Sequence, residues 1–281
     1  MNQEHHDKLL EGSDAWNKWR EENPDIRPDL QKADLSMTDL QKANLQRADL
    51  EEANLRYANF RGANLQKAAL GRADLRNAYL GGANLQHANI WRADLRDANL
   101  VGADVKNANL WRADLQNANL VGADFSNTFV GGIKYNRKGN YIGIRVAGCY
   151  GDPGFRRFAQ DQEYIEMIRQ SRPVLYRLWL ISSDCGRSIG LWCLWSLVLA
   201  VYFGISFFLL GSEHFTVKEP MPFDLMTMIY YSAVTFTTLG FGDIVPKTHT
   251  GAFWVAAEVV IGYIMLGGLI SIFTTKFARR A

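Results

Sequence analysis

The stretch ANLVGADVKNANLWRADLQNANLVGADF, residues 98–125, repeats one five-residue pattern without a break. A large apolar residue returns at every fifth position, alanine usually stands two residues before it, and aspartate or asparagine usually lies between them. The pattern extends in both directions, from Leu30 to Val130. A period of five fits neither an α-helix, which repeats every 3.6 residues, nor an alternating strand. The sequence therefore predicts a coil in which each side takes five residues.

This A-(D/N)-L-x-x pattern over residues 26–130 resembles the pentapeptide-repeat family. The resemblance implies a right-handed quadrilateral β-helix with four pentapeptides per coil. The leucines would point inward, and the last two residues of each unit would face solvent. Stacked coils of this kind form a solenoid in which each coil contacts only its neighbours. Residues i and i+20 are then expected in one column on one face.

Two columns of the expected solenoid are unusual for a solvated surface. Trp91 and Trp111 fall in one column, and Gly82, Gly102 and Gly122 fall in another. Exposed aromatic side chains and a smooth glycine strip are features of contact surfaces. We interpret these columns as candidates for contact with a partner or a neighbouring subunit. Surface variation without a function is the alternative.

The segments around the repeat are predicted to cap it and to link it to the rest of the chain. Residues 1–25 indicate a short amphipathic helix that covers one open end. Residues 131–158 form the second cap, with two β-like runs that suggest a hairpin around residues 137–140. Residues 159–187 predict two short interfacial helices broken at Pro173. They are either a lever between the two parts or a plain linker.

The C-terminal part has the composition of a membrane domain, which the overall mean hydropathy of −0.16 conceals. Residues 188–212 contain no charged residue, and residues 251–275 contain only Glu258. At 1.5 Å per residue, either stretch is long enough to cross a hydrocarbon core of about 30 Å. The apolar stretch 223–236 is too short to cross and predicts a re-entrant helix. Residues 188–281 are therefore predicted to be an all-α membrane pore domain with two transmembrane helices, which makes the chain multidomain.

The short apolar stretch is followed by TTLGFGD, residues 237–243. Irregular backbone at membrane depth survives only where it is buried or lines a water-filled path. Glycines at alternate positions allow successive carbonyls to face one side, because glycine tolerates left-handed backbone. The TVGYG segment of potassium channels is a selectivity filter of this kind. Over about residues 187–280, the chain resembles the two-transmembrane potassium channels of prokaryotes.

The resemblance implies which residues bind ions and which support them. The predicted selectivity filter binds K⁺ through Thr238, Leu239, Gly240, Phe241 and Gly242, and its predicted support is Thr237, Asp243, Tyr230, Tyr231, Val234 and Glu258. Phe241 stands where tyrosine is commonest. Some bacterial relatives place a glutamate at the position of Val234, where it pairs with the filter aspartate. Here Tyr230 or Tyr231 is predicted to donate to Asp243 instead. Glu258 is expected to bond to the pore helix or loop rather than to take part in permeation.

The inner helix offers two candidate gate hinges. Gly262 lies where relatives place a bending glycine, and Gly267 with Gly268 is the competing hinge. Packing of small residues between helices is the alternative role for each glycine. Ser271, Thr274 and Thr275 are candidates for the inner mouth.

The remaining features exclude several classes of protein. Nearly equal numbers of basic and acidic residues over 26–130 argue against the soluble DNA mimics of the repeat family, so no nucleic-acid partner is expected. The sequence has no phosphate loop, metal cluster or catalytic dyad, which predicts no enzyme and no cofactor; the only expected metal is K⁺ in the filter. Lys and Arg flank the two spans on one side, which predicts cytoplasmic termini in a bacterial membrane. The repeat density resembles cyanobacterial proteins, in the plasma or thylakoid membrane.

One chain supplies one filter strand, so the predicted working unit is a homotetramer. The predicted function is a potassium-selective channel whose cytosolic repeat domain serves assembly, binding of an unidentified cytosolic partner, or gating. A weakly selective cation channel and a membrane-anchored interaction scaffold are the alternatives.

Overall fold

The computed structural model describes residues 1–186, 188–237 and 239–278, with side chains as far as Thr274. Arg187, Thr238 and residues 279–281 lie outside the described residues. The chain divides into two compact units, Met1–Ser171 and Arg172–Ala281. The repeat lies in the first unit and the apolar helices lie in the second.

The repeat forms stacked coils that are joined by parallel bridges between residues 20 apart. The bridges begin at Asp29 with Asp49 and continue as far as Asn109 with Phe129. The Leu30 amide donates to the Asp49 carbonyl oxygen at 2.8 Å, and the pattern recurs along the stack. Each coil therefore takes four pentapeptides, and the repeated leucines and alanines are buried in the core of the stack.

The consensus residues have separate physical roles in this coil. The Asn109 side-chain oxygen accepts from the Trp111 amide at 3.0 Å, and Asn99 does the same for Val101 at 3.1 Å. Such bonds from aspartate or asparagine stabilise a turn. The second outward residue then has left-handed backbone, as at Arg92 with φ of 55° and Gly102 with φ of 65°. The need for left-handed backbone at this position thus also explains the glycine column, apart from any role of its surface in binding.

The N-terminal cap consists of two helices where one was predicted. Helix α1 covers Gln3–Leu10 and helix α2 covers Ser13–Glu22. They separate at Gly12, whose φ of 109° no helix allows. Trp16 is fully buried, and its indole nitrogen donates to the Asn44 carbonyl oxygen at 2.9 Å. The side chain therefore covers the open end of the first coil.

The predicted hairpin in residues 131–158 is wrong. Residues 134–150 add further sides to the solenoid, because they pair in parallel with the preceding coil. The bridges are Asp114 with Lys134, Asn119 with Asn140, Asp124 with Arg145, and Phe129 with Tyr150. The offset changes from 20 to 21 between Lys134 and Asn140, so one inserted residue hides the period. The consensus residues are also replaced there, although Ile133, Ile144 and Val146 are still buried.

Helix α3, which covers Pro153–Ser171, belongs to the first unit rather than to a separate linker. Phe155 and Ala159 on this helix are fully buried. The Phe155 ring packs against Tyr135 and Phe125, with centroids 5.3 and 6.1 Å apart. The start of α3 therefore covers the last coil.

The Asp124 carboxylate stabilises the irregular last coil through hydrogen bonds and ion pairs. Its carboxylate accepts from the Ser126 hydroxyl at 2.6 Å and the Arg145 Nε at 2.9 Å, and Lys106 Nζ lies 3.2 Å away. Burial alone would raise the pKa of Asp124, but the Ser126 and Lys106 hydrogen bonds and the Arg145 charge lower the pKa to about 2. An unfolded aspartate titrates near pH ~3.9. The stabilisation is therefore present above about pH 4 and is lost as the pH falls towards 2.

We expect Asp124→Asn to remove about 2 kcal/mol of stability at pH 7, because the amide keeps the shape but loses the charge. Thermal unfolding of the full chain, followed by far-UV circular dichroism, measures this loss. The difference between the variant and the original chain should shrink as the pH is lowered towards 3. Equal melting at pH 7 would show that the carboxylate does not stabilise the last coil.

The second unit begins with helix α4, Pro173–Ser183, which follows the break predicted at Pro173. Helix α5 covers Ile189–Leu210 and helix α7 covers His249–Ala278; both are long and apolar enough to cross a membrane. Between them lie a 3-10 turn, strand β1 (Phe215–Val217), helix α6 (Leu225–Phe236) and strand β2 (Ile244–Pro246). Helix α6 contacts both long helices through apolar side chains, which include Phe203, Phe207, Met228 and Tyr231.

The two short strands were not predicted. β1 pairs antiparallel with β2, so that Phe215 lies opposite Pro246 and Val217 lies opposite Ile244. Strands of three residues carry no periodic signal, and their pairing depends on residues far apart in the sequence. The pairing brings together the chain before α6 and the chain after the predicted filter.

Candidate functional site

Helix α6 is fixed at both ends by its own side chains. The Asp224 carboxylate accepts from the Thr227 amide at 2.8 Å and so caps the first turn. The Thr237 hydroxyl donates back to the Ala233 carbonyl oxygen at 2.8 Å. The Leu239 amide donates to the Val234 carbonyl oxygen at 3.0 Å. These bonds set the point at which the helix gives way to the predicted filter.

The backbone of the predicted filter turns left-handed at both glycines. Gly240 has a φ of 47° and Gly242 a φ of 68°, conformations that side chains disfavour. The side chain of Leu239, before the two glycines, is 64% exposed in the single chain, and that of Phe241, between them, is 65% exposed. The other predicted ion ligand, Thr238, lies outside the described residues.

The outer end of this segment is fixed by Asp243. Its carboxylate accepts from the Tyr230 hydroxyl at 2.9 Å and from the Ile244 amide at 3.1 Å. Tyr231 instead packs between the rings of Phe207 and Phe215, with centroids 5.6 and 5.9 Å away. Tyr230 is thus the tyrosine that contacts Asp243. Val234 is buried, and its side chain offers the aspartate no polar group.

Glu258 connects three helices behind this segment. Its carboxyl group is fully buried on α7 and contacts the Ser232 hydroxyl on α6. The same hydroxyl lies 2.6 Å from the Ala200 carbonyl oxygen on α5. The second oxygen of Glu258 has no hydrogen-bond partner among the described residues. A buried carboxyl group within an apolar span is costly unless it is paired, so this link is a specific feature of the pore unit.

The hydrogen-bond count at Ser232 indicates which group carries the proton. A serine hydroxyl has one proton to donate, and a backbone carbonyl can only accept. The Ser232 proton can therefore serve Ala200 or Glu258, but not both at once. Both contacts are satisfied when Glu258 is protonated and donates to the Ser232 oxygen, while Ser232 donates to Ala200.

The three candidate hinge glycines of α7 have different surroundings. A Cβ added at Gly262 would lie 2.5 Å from the Phe236 carbonyl oxygen, so α7 closely approaches the end of α6 there. A Cβ at Gly268 would overlap the ring of Trp192. At Gly267, a Cβ would meet nothing within 4 Å. Two of the three glycines thus permit close packing between helices.

The predicted inner-mouth residues are only partly described. Ser271 and Thr274 are exposed in the single chain, and the Thr274 hydroxyl donates to the Ile270 carbonyl oxygen at 2.9 Å. The side chain of Thr275 lies outside the described residues, as do Arg187 and Arg280 of the flanking basic groups.

Several residues that position the site were missed in the sequence. Ser232 is a small polar residue in an apolar helix, which is a usual sign of an interhelical hydrogen bond. A Cβ at Gly204 of α5 would lie 2.6 Å from the Ile229 Cα of α6, so this glycine permits close packing. The Trp192 indole donates to the Met265 carbonyl oxygen at 2.6 Å and joins α5 to α7. The roles of these residues become visible only when the contacts between helices are known.

The tryptophan and glycine columns predicted on the solenoid exist as columns. Trp111 is 37% exposed and Trp91 is partly exposed, each beside arginine side chains. Gly82 and Gly102 are exposed, Gly122 is partly exposed, and a Cβ at any of the three would meet nothing within 4 Å.

Comparison with known families assigns both parts of the chain. The family of pentapeptide repeats matches in eight copies, at residues 29–66, 63–100, 73–112 and 92–130. An ion channel family matches residues 195–279. The chain belongs to the pentapeptide-repeat family and carries an ion-channel domain. This channel is therefore a fusion, and its second unit is a membrane domain with two apolar spans. Both families are non-enzymatic kinds of protein.

Solved pentapeptide-repeat proteins resemble the first unit. One from the Arabidopsis thaliana thylakoid lumen is 35% identical; the match covers 34% of this chain and 68% of that one, with a TM-score of 0.34. HetL of Nostoc, involved in heterocyst differentiation regulation, is 30% identical over 46% of this chain and 72% of its own, with a TM-score of 0.24. A third, also from Nostoc, is 36% identical over 31% and 68%, with a TM-score of 0.24. No curated protein matches the channel.

Proposed function

We propose that four copies of this chain form a potassium-selective channel, with ions bound along residues 238–242. The observation that carries the proposal is the left-handed backbone at Gly240 and Gly242, directly after α6. Alternating left-handed residues can turn successive carbonyls to one side, where they replace the hydration shell of K⁺. Helix α6 precedes this segment, and the partial negative charge of its C-terminus favours a cation.

The proposal includes a re-entrant path for α6. The helix Leu225–Phe236 is too short to cross a hydrocarbon core of about 30 Å. Strand β1 precedes the helix, strand β2 follows the filter segment, and the two strands pair. This pairing brings together the two ends of the segment that contains α6 and the proposed filter, which supports a re-entrant path.

The exposed filter side chains support a tetramer. Leu239 and Phe241 are more than half exposed in the single chain, at 64% and 65%. The apolar side chains could face lipid, but the irregular backbone that carries them is tolerated at membrane depth only where it is buried in protein or lines a water-filled path. Neighbouring subunits around a fourfold axis would supply that cover, and four filter strands would surround each ion. No cofactor beyond the bound potassium ions is required.

The proposed arrangement places both termini in the cytoplasm of a bacterium, with the pore in a plasma or thylakoid membrane of the cyanobacterial type. Arg169, Arg172 and Arg177 precede the first span, which fits the positive-inside rule. The first unit, proposed as a right-handed quadrilateral solenoid, would then be cytosolic and serve assembly, partner binding or gating.

Potassium selectivity predicts a specific current. With the purified channel in planar bilayers, we expect the reversal potential to move by about 59 mV for each tenfold potassium gradient. An opposing sodium gradient should leave that potential unchanged, because the proposed carbonyl ligands replace the hydration shell of K⁺ selectively.

Two other outcomes would each support a different function. A reversal potential that follows sodium as closely as potassium indicates a weakly selective cation channel. Folded channel protein that incorporates into the bilayer but never conducts favours a membrane-anchored scaffold.

A further inference from the structure

One face of the solenoid alternates arginine and tryptophan up the stack. This Arg–Trp face consists of Arg72, Trp91, Arg92, Trp111 and Arg112. The Arg72 guanidinium lies 4.8 Å from the Trp91 ring centroid, and that of Arg112 lies 4.6 Å from the Trp111 centroid. Arg92 lies 5.9 and 5.8 Å from the two rings. All are within the range of cation–π contacts.

The tryptophans lie against positions without side chains. A Cβ at Gly71 would overlap the ring of Trp91, and a Cβ at Gly131 would lie 3.3 Å from Trp111 Cδ1. Each ring therefore uses space that a larger residue would fill. The face is a packed arrangement rather than a set of free side chains.

The charges on this face are not neutralised as they are on the adjacent face. There, Arg76 pairs with Asp74 at 2.5 Å and with Asp94 at 3.6 Å, and Arg96 pairs with Asp94 at 2.5 Å.

On the Arg–Trp face, Arg72 pairs with Glu52 at 3.3 Å. Arg92 and Arg112 form no salt bridge with any of the described residues. The β-bridge positions that precede this face are Asn89 and Asn109, whereas those that precede the adjacent face are Asp74 and Asp94. Arg92 and Arg112 therefore have no neighbouring carboxylate of this kind.

Contact with the tryptophan rings, closer for Arg112 than for Arg92, helps to hold these two guanidinium groups in place for an anion. A guanidinium that contacts a ring keeps its N–H donors, which lie in its plane and can bind a carboxylate at two points. Its rotamer entropy is already partly lost before a ligand arrives. Successive coils lie about 4.8 Å apart, so Arg92 and Arg112 present two such forks side by side.

We propose that Arg92 and Arg112 bind an acidic segment of a partner protein. The proposal deepens the interaction role of the repeat domain and is independent of potassium selectivity. A single-stranded nucleic acid would need open ring faces for base stacking, but arginines already cover the tryptophan rings. A membrane surface would need apolar side chains that insert, and these rings pack back onto the coil. Carboxylates on an extended peptide suit this face, because they bind the edges of the guanidinium groups and need neither an open ring face nor an inserted side chain.

The test measures binding of a fluorescein-labelled dodecapeptide of alternating glutamate and serine to the full-length channel in detergent. Fluorescence anisotropy is read at low and physiological salt. Arg92→Gln with Arg112→Gln is expected to weaken binding at least tenfold and to reduce its salt dependence. Arg76→Gln with Arg96→Gln removes the same charge from the adjacent face and should change affinity less than twofold. Circular dichroism confirms that both double variants keep the fold.

Three results would overturn the proposal. One is absence of measurable binding of the peptide by the unmodified channel. Another is equal weakening by the two double variants, which would show a response to net charge alone. The third is Arg92- and Arg112-dependent binding of phosphatidylglycerol vesicles or a single-stranded oligonucleotide in preference to the peptide.

Discussion

Replacing Glu258 by alanine is expected to lower the melting temperature of the channel by roughly 10 °C and to abolish potassium flux. The side chain is fully buried and links α7 to Ser232 of α6. Truncation of a buried side chain of this size costs about 2–5 kcal/mol, because a cavity remains. About 1 kcal/mol corresponds to several degrees for a unit of this size. The proposed filter segment follows α6, so a loosened α6 should disturb the proposed ion path.

Glu258→Gln should keep both stability and flux close to those of the unmodified channel. The amide has the shape of a protonated carboxyl group, and its NH₂ can donate to the Ser232 oxygen. Ser232 then remains free to donate to the Ala200 carbonyl oxygen, 2.6 Å away. The glutamine variant is thus the matched control, because it removes the ionisable proton and keeps the donor.

Melting of the purified protein in detergent, followed by the size-exclusion peak, and potassium flux into liposomes give the two readouts. If glutamine is as damaging as alanine, the channel needs an ionised Glu258 and the assignment of the proton is wrong. If alanine is harmless, the three-helix link does not support the proposed filter.

The regular solenoid could be predicted because each pentapeptide repeats its own local instructions. Asp or Asn forms the turn, and the apolar residue faces the core, whichever coil it lies in. The prediction failed where this redundancy ends, between Lys134 and Asn140, since one added residue shifts the register. Gly12 divides the N-terminal cap for a similarly local reason, which a pattern of apolar residues alone does not reveal.

The membrane domain was predictable from the lengths of its apolar stretches. The two long helices and α6 lie close to the expected stretches. Its supporting contacts depend on residues far apart in the sequence, as with Ser232 and Glu258. The spacing of residues left Tyr230 and Tyr231 equivalent as donors to Asp243. Only the rotation of α6 separates them, by turning Tyr231 into the aromatic cluster.

Alanine substitutions at the glycines of α7 can distinguish a role in helix packing from a role as a gate hinge. Gly262→Ala is expected to prevent normal assembly and flux, because its Cβ would lie 2.5 Å from the Phe236 carbonyl oxygen. Overpacking against a flexible side chain costs about 1–3 kcal/mol. Here the obstacle is the backbone at the end of α6, which cannot rotate away, so we expect a loss of about 3 kcal/mol or more.

Gly267→Ala is the matched substitution, because its Cβ would meet nothing within 4 Å. Alanine favours a helix over glycine by about 1 kcal/mol, so this variant should melt no earlier than the unmodified channel. If Gly267 is the hinge, the stiffer helix lowers the fraction of time that the channel is open, measured in single-channel records, without changing its melting. A Gly262→Ala variant that melts normally but stays closed would instead assign the bending to Gly262. A variant that both melts and conducts normally would show that α7 and the end of α6 are not in close contact.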